Sequence, residues 1–437
     1  MTESILIVGC GVFGLSTAVH LAERGGYQVT AIDLLPVPSQ FSAANDFNKI
    51  IRCEYTDFIY TKMAVEAMKL WRSDPIFKGI YSECGRILIT PELHVGRKEF
   101  EEESIKNLQK IPGEGRKLEY FKGGNDLANR FDFLNLNSVS ETTEIKWNPE
   151  AGLAHAANSL IALYNKAVDL GVKFIFGKSG EAIRTVSKKN GRDYIITKDG
   201  TEYTADKIII SAGASTGFIV DLNHQQSATG LFVTHIKLTP QEYEKFKNIP
   251  ILFDAEMGYF FPPDSKTHVL KIALPGSGAS NLVTSPHDEN EKISLPRYKL
   301  DCPTDTIPYM AIRQARLLLK KFVPELEDHE LFNSKACWIA DTSDSHFIID
   351  KVPNSKNLYV ATGDSGHGFK FLPNIGKYIV DKLEGKLDPE MEYSWQWKQD
   401  RPEFDPNMCS WRVGSGNLDF SEIEWAREDD KGCIIKL

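Results

Sequence analysis

Three glycines at a fixed spacing, Gly9-x-Gly11-x-x-Gly14, form the first pattern in the chain that implies chemistry. The first permits a tight turn and the second lets a pyrophosphate approach the backbone. The third lets helix and strand pack closely, and the helix N-terminus attracts phosphate. Val12 and Phe13 fall in the same turn, and Asp33 follows at the end of the next apolar run. A carboxylate there accepts hydrogen bonds from ribose hydroxyls and repels a 2′-phosphate. Dinucleotide binding is the chemistry implied. The pattern does not separate NAD from FAD, so an NAD-dependent dehydrogenase is one reading of it. Seven cysteines, at 10, 53, 84, 302, 337, 409 and 433, include no CxxC pair. A zinc ribbon, a redox dithiol or another metal site is therefore not expected.

The elements that must position these residues are legible around them. Residues 4–9 are a continuous apolar run ending in glycine, as in a buried parallel strand. Residues 12–24 carry apolar side chains at helical spacing, and 27–32 form a second strand, completing a βαβ unit. Helices are expected over 59–72, 154–170 and 376–383. Strands are expected over 85–89, 173–176, 207–211, 338–350 and 357–363, with a hairpin across Asp199-Gly200. Residues 221–325 mix strand-like pieces with Pro-rich loops and read as an antiparallel insertion. After about residue 390 the chain reads as loop.

Length and composition bound the function. A chain of 437 residues suggests about two or three domains. Its 51 basic and 60 acidic residues give a net charge of −9 without a basic stripe, against nucleic-acid binding. The sequence contains no apolar run of membrane-spanning length. The N-terminus reads as a strand rather than a leader, which favours a reducing compartment. The tripeptide Ile435-Lys436-Leu437 is a poor match to the peroxisomal signal Ser-Lys-Leu, leaving a peroxisomal or a cytoplasmic location.

Three stretches carry a family resemblance. They are Ser42-Ala43-Ala44-Asn45-Asp46-Phe47-Asn48-Lys49-Ile50-Ile51-Arg52; Cys337-Trp338-x-x-Asp341-Thr342-x-Asp344-x-His346-Phe347-Ile348-Ile349-Asp350; and Thr362-Gly363-Asp364-Ser365-Gly366-His367-Gly368-Phe369-Lys370-Phe371-Leu372-Pro373. Over essentially the whole chain the sequence resembles the sarcosine oxidase branch of the glutathione-reductase-like flavoproteins. It is most similar there to fungal fructosyl-amino-acid oxidases (amadoriases), with saccharopine and pipecolate oxidases as near relatives.

The resemblance implies an α/β fold. An FAD-binding domain would be built from residues 1–85, 148–220 and 326–395. A mixed-sheet substrate domain would come from 86–147 and 221–325, as in the sarcosine oxidase and D-amino-acid oxidase group, followed by a C-terminal extension, 396–437. It implies FAD joined by a thioether to Cys337, with contacts from Ser42, Asn48, Lys49, Ala212, Gly213, Asp364, Gly366, Gly368, Phe369 and Lys370. Lys370 and Arg52 would bind the substrate carboxylate, for which an arginine fork is well shaped. Arg412 would contact substrate, and Tyr259 and Phe260 would wall the pocket. Lys271 would face O₂ as a fixed cation, and Lys49 would lie on the opposite face of the ring. His367 is either a helper or a hydrogen-bonded structural residue.

The implied reaction oxidises a secondary amine on an amino acid, consuming O₂ and releasing an imine or its cleavage products with H₂O₂, in a monomer. One departure bears on the substrate. Amadoriases carry an Asp-Glu pair three and four residues after the lysine, with the Glu bonding the sugar; here Leu274 and Pro275 stand there. Saccharopine or pipecolate suits such a pocket as well as a fructosyl amino acid does.

Overall fold

The computed structural model describes residues 2–91, 95–399, 402–404 and 418–427. Strand Glu3–Val8, helix Val12–Arg24 and strand Tyr27–Ile32 form the expected βαβ unit. The first strand pairs in parallel with Tyr27–Ile32 on one side and with Lys207–Ile210 on the other. Strands Lys173–Ile175, Leu358–Thr362 and Ile348–Lys351 extend this to six, the last one antiparallel. Both faces are covered, which is why the strands read as unbroken apolar runs. Ile5, Ile7, Ala31 and Ile209 pack on the side of helices Val12–Arg24, Phe58–Ser73, Ala156–Asp169 and Ile375–Leu383. Leu6, Val8, Ile32, Ile208 and Ile210 pack on the other.

A nine-stranded mixed sheet forms the second layer system, and it governs the site. Its strands include Arg86–Thr90, Glu144–Asn148, Ser227–Lys237, Ile251–Asp254, Gly258–Phe260, Val269–Ser280 and Phe332–Asp341. Alternation along them sorts side chains onto two faces. Ile87, Ile145, Leu252, Phe260, Leu270 and Ile272 turn into a core shared with helix Tyr309–Phe322. Arg86, Phe253, Tyr259, Lys271 and Ala273 occupy the alternate positions and face the other way. Burial of Phe260 therefore corrects its expected place in a pocket wall: it is fully buried on the core side while its neighbour Tyr259 lines the cavity.

Other expectations change in detail. The stretch read as one strand over 338–350 is two, Phe332–Asp341 and Ile348–Lys351, separated by a turn at Thr342–Ser345. The first pairs with Ser227–Lys237, so the strand bearing Cys337 belongs to the mixed sheet rather than to the six-stranded one. Helices Val95–Gln109, Tyr309–Phe322 and Pro389–Trp395 lie where no helix was expected. Among the described residues no helix is long and apolar enough to cross a membrane.

Candidate active site

A cavity of about 760 Å³ runs from the glycine turn, between the two sheets, to the charged face of the mixed sheet. The three glycines serve different needs. A side chain at Gly9, where φ is +102°, would strike the Ser211 carbonyl, and one at Gly14 would lie 1.9 Å from the Gly9 carbonyl oxygen. At Gly11 the nearest atom is Ser42 Oγ, 3.9 Å away. Packing demands the first and third glycines, whereas the second borders open cavity space. Gly213 has nothing within 4 Å of a built Cβ, and Gly366 only Ile339 Cδ1 at 3.3 Å. Such bare backbone along a cavity suits close approach by a dinucleotide.

The cavity is lined at this end by Val12, Phe13, Asp33, Ser42 and Ala212. The Asp33 carboxylate accepts a 2.7 Å hydrogen bond from Cys10 N. Burial pushes its pKa up, against the pull of backbone donors. Asp364, Gly368 and Phe369 line the wall from the later loop. Asp364 accepts from Ala340 N and Gly366 N, and burial raises its pKa to about 6.

Lys49, Lys271, Tyr259 and Cys337 meet at the mixed-sheet end of the cavity. A single carboxylate, Asp46, holds both lysines: Lys271 Nζ donates to Asp46 Oδ2 at 2.5 Å and Lys49 Nζ to the same oxygen at 2.7 Å. Lys271 also donates to the carbonyl of Asn48, at 2.7 Å. Asn48 is buried off the cavity lining, with its side-chain oxygen unpartnered. Burial lowers the Lys271 pKa to about 8, with Lys49 adding to the fall and Asp46 opposing it. Burial acts on Lys49 the same way, but Asp46 prevails and holds its pKa above the ordinary value. Burial would raise Asp46; Lys271, Lys49 and Lys335 hold it far below the usual carboxylate range. Both lysines also interact electrostatically with the Cys337 thiol.

A second cation group lies behind Tyr55. Lys370 Nζ sits 5.2 Å from the Tyr55 ring centroid and the Arg52 guanidinium 4.9 Å from it. Lys370 is 7% exposed. Its ammonium donates to the carbonyl of His367 at 3.0 Å, and Arg52 donates to the carbonyl of Glu54. Neither hydrogen-bonds a carboxylate of a described residue. Burial, then repulsion from Arg52 and Arg86, depresses the Lys370 pKa well below the lysine range. His367 lies 3.3 Å from the Tyr55 hydroxyl and 2.9 Å from the Ser345 carbonyl. Burial lowers its pKa strongly, in keeping with a neutral structural histidine.

The expected site residues thus fall into three groups: those around the glycine turn and the loop at Asp364, the cluster of Lys49, Lys271 and Cys337, and Lys370 with Arg52, which lie off the cavity lining along with Gly14, Asn48 and Phe260. Arg412 lies outside the described residues. Asp46, Tyr55 and Glu54 were not expected to matter. Asp46 was legible as an acid three residues before Lys49. Tyr55 and Glu54 carried no signal in the sequence.

Comparison with known proteins places this geometry. The chain is 41% identical to L-saccharopine oxidase of Schizosaccharomyces pombe, covering 97% of this chain and 99% of that protein. Monomeric sarcosine oxidase of a Bacillus species is 23% identical, over 89% of this chain and 94% of the relative. Among solved structures, fructosyl peptide oxidase from E. terrenum superposes with a TM-score of 0.88 at 30% identity, covering 98% of each chain. Fructosamine oxidase (Amadoriase II) from Aspergillus fumigatus gives 0.86 at 32% identity, covering 98% of this chain and 97% of that one. The model of the DAO family, FAD dependent oxidoreductase, matches residues 4–382, from the first strand through the loop at Asp364 and the helix after it. The chain therefore belongs to the DAO family of FAD-dependent oxidoreductases, and the cofactor that the βαβ unit left open is FAD.

Proposed function

We propose that this protein is an FAD-dependent oxidase of an N-substituted amino acid of the saccharopine type, acting with O₂ as acceptor. The observation that carries the substrate class is the full-length likeness to an L-saccharopine oxidase. Leu274 agrees with it. It is 4% exposed and packs in the core beside the cavity, so it offers no group to bond a sugar hydroxyl. The bare backbone at Gly11 and Gly213 and the buried Asp33 fit FAD.

Bound FAD supplies the two-electron acceptor that oxidises the carbon–nitrogen bond to an imine and passes the electrons to O₂, giving H₂O₂. The chain's own residues prepare that reaction. Cys337, which lines the cavity beside Lys49 and Lys271, is the thiol assigned here to the covalent tether. Lys370 and Arg52 bind the substrate carboxylate by charge-assisted hydrogen bonds. The Tyr55 ring, 4.9 Å from the Arg52 guanidinium and 5.2 Å from Lys370 Nζ, helps to hold both cations. Their positive charge disfavours a protonated substrate nitrogen and so selects the neutral amine. Lys271, fixed by Asp46 and the Asn48 carbonyl, presents a preorganised cation to the charge that develops on reduced oxygen. The enzyme works as a monomer in this reading.

Anaerobic bleaching of the flavin against saccharopine, fructosyl-lysine, pipecolate and sarcosine tests the proposal. Saccharopine should reduce the flavin fastest, and peroxide should appear in air. Faster bleaching by fructosyl-lysine would overturn the substrate assignment. Release of the flavin on acid precipitation would overturn the tether.

A further inference from the structure

Arg86 is 3% exposed, yet none of the described residues accepts a hydrogen bond from its guanidinium. Its Nε is fully buried and unpartnered. The nearest acid, Glu54, lies 3.8 Å from Nη1, outside hydrogen-bond range. Glu54 is engaged elsewhere: its carboxylate accepts from Asn148 Nδ2 and from Cys53 N, each at 3.0 Å. A buried arginine with idle donors is unfavourable unless an anion completes it.

The surroundings of Arg86 join it to the substrate cluster. Its guanidinium lies 5.0 Å from the Phe253 ring centroid, and that ring stacks on Tyr259 at 4.9 Å, which lines the cavity. On its other side, Glu54 gives its main-chain carbonyl to Arg52. Glu54 acts electrostatically on both Arg86 and Lys370, with Glu101 acting further on Arg86 and Asp364 on Lys370, but neither of these two further acids hydrogen-bonds the cation it faces. Lys146, on the neighbouring strand, differs: it hydrogen-bonds a carboxylate, that of Glu101, at 2.5 Å, which it shares with Arg97. One carboxylate on Lys370 and Arg52 leaves Arg86 unanswered.

We propose that Arg86 binds a second carboxylate of the substrate, making this a site for polycarboxylate amines rather than for simple amino acids. The inference deepens the proposed function and rests on it for the identity of the amine. Saccharopine joins the lysine side-chain nitrogen to C2 of glutarate, so the amine carries a dicarboxylate arm. The α-carboxylate of that arm would take Lys370 and Arg52, and the distal one would take Arg86. A bidentate guanidinium–carboxylate pair in a buried setting gives both affinity and register.

The test uses the holoenzyme and two readouts. Glutarate and butyrate are titrated as competitive ligands, followed by the flavin absorbance change, in the wild type, Arg86→Gln and Arg86→Lys. The wild type should prefer glutarate by about tenfold or more, the scale of a charge-assisted hydrogen bond. Arg86→Gln should abolish that preference, and Arg86→Lys should restore part of it. In parallel, the ratio of kcat/KM for saccharopine to that for pipecolate should fall by about tenfold or more in Arg86→Gln. Equal affinities for glutarate and butyrate in the wild type, or a preference that survives Arg86→Gln, would overturn the proposal. If Arg86→Gln does not fold, the wild-type and Arg86→Lys titrations decide it. Failure of saccharopine to reduce the wild-type flavin would sink the substrate assignment instead, while the glutarate titration still decides the role of Arg86.

Discussion

Lys49 and Lys271, which line the cavity, and Lys370 and Arg52, beside Tyr55, carry like charges into sheltered ground, yet among the described residues only the first two hydrogen-bond a carboxylate. Asp46 clamps its pair in place. The other pair rests on backbone carbonyls and an aromatic face. Clamped cations are a permanent field, suited to charge that appears and disappears during turnover. Cations that rest on neutral partners suit an anion that arrives and leaves. The distribution of acids, more than that of bases, separates electron-acceptor chemistry from substrate binding.

Removing the clamp should have the largest effect. Asp46→Asn leaves two buried ammonium groups without a counter-charge, and should cost about 3–5 kcal/mol in apoprotein stability. Denaturant unfolding measures it; a loss below about 1 kcal/mol would mean that the lysines need no partner. The same carboxylate is depressed in the folded state, so its contribution is complete above the ordinary carboxylate range. That contribution is lost as pH falls through the folded value.

On the unclamped side, Lys370→Met should weaken substrate binding by about 2–5 kcal/mol, with little change in the unfolding midpoint. A variant with normal substrate affinity would break the comparison.

pH sharpens it further. Lys271 keeps its proton below a pKa of about 8 and loses it above. Flavin reoxidation by O₂ should therefore slow as pH rises through about 8, while substrate reduction of the flavin should not follow that step. Where Asp46→Asn folds, it should move the step to lower pH, since it removes the charge that holds the proton. Stopped-flow oxidation over a pH series reads both.

The glycines give the smallest effects. Gly14→Ala should destabilise the apoprotein by about 1–3 kcal/mol. Gly11→Ala should stay within about 0.5 kcal/mol but lower the incorporation of FAD during folding, read as the flavin-to-protein absorbance ratio. Full flavin loading in Gly11→Ala would show that the backbone there is not approached.

Sequence alone carried the βαβ unit, because glycines, strand and acid stand within one short segment. Cys337, Lys271 and Lys370 were legible only through the family resemblance; as residue types they look like a core thiol and surface lysines. Helix Val95–Gln109 was illegible for a physical reason. Its buried face includes Arg97, Glu101, Ser104 and Asn107, so it shows no apolar stripe. Arg86 and Glu54 were missed likewise, because buried charge looks like surface charge until the fold brings it inside. Phe260 was misplaced by one residue of strand alternation, which pairing fixes and composition does not.

Stopped-flow separation of the two half-reactions in Lys271→Met and Lys370→Met tests the division of labour most directly. The account predicts that Lys271→Met slows reoxidation by about 100- to 1000-fold and leaves the substrate dissociation constant near that of the wild type. Lys370→Met should raise that constant while reoxidation stays near the wild-type rate. Loss of both half-reactions in each variant, or the opposite assignment, would contradict it.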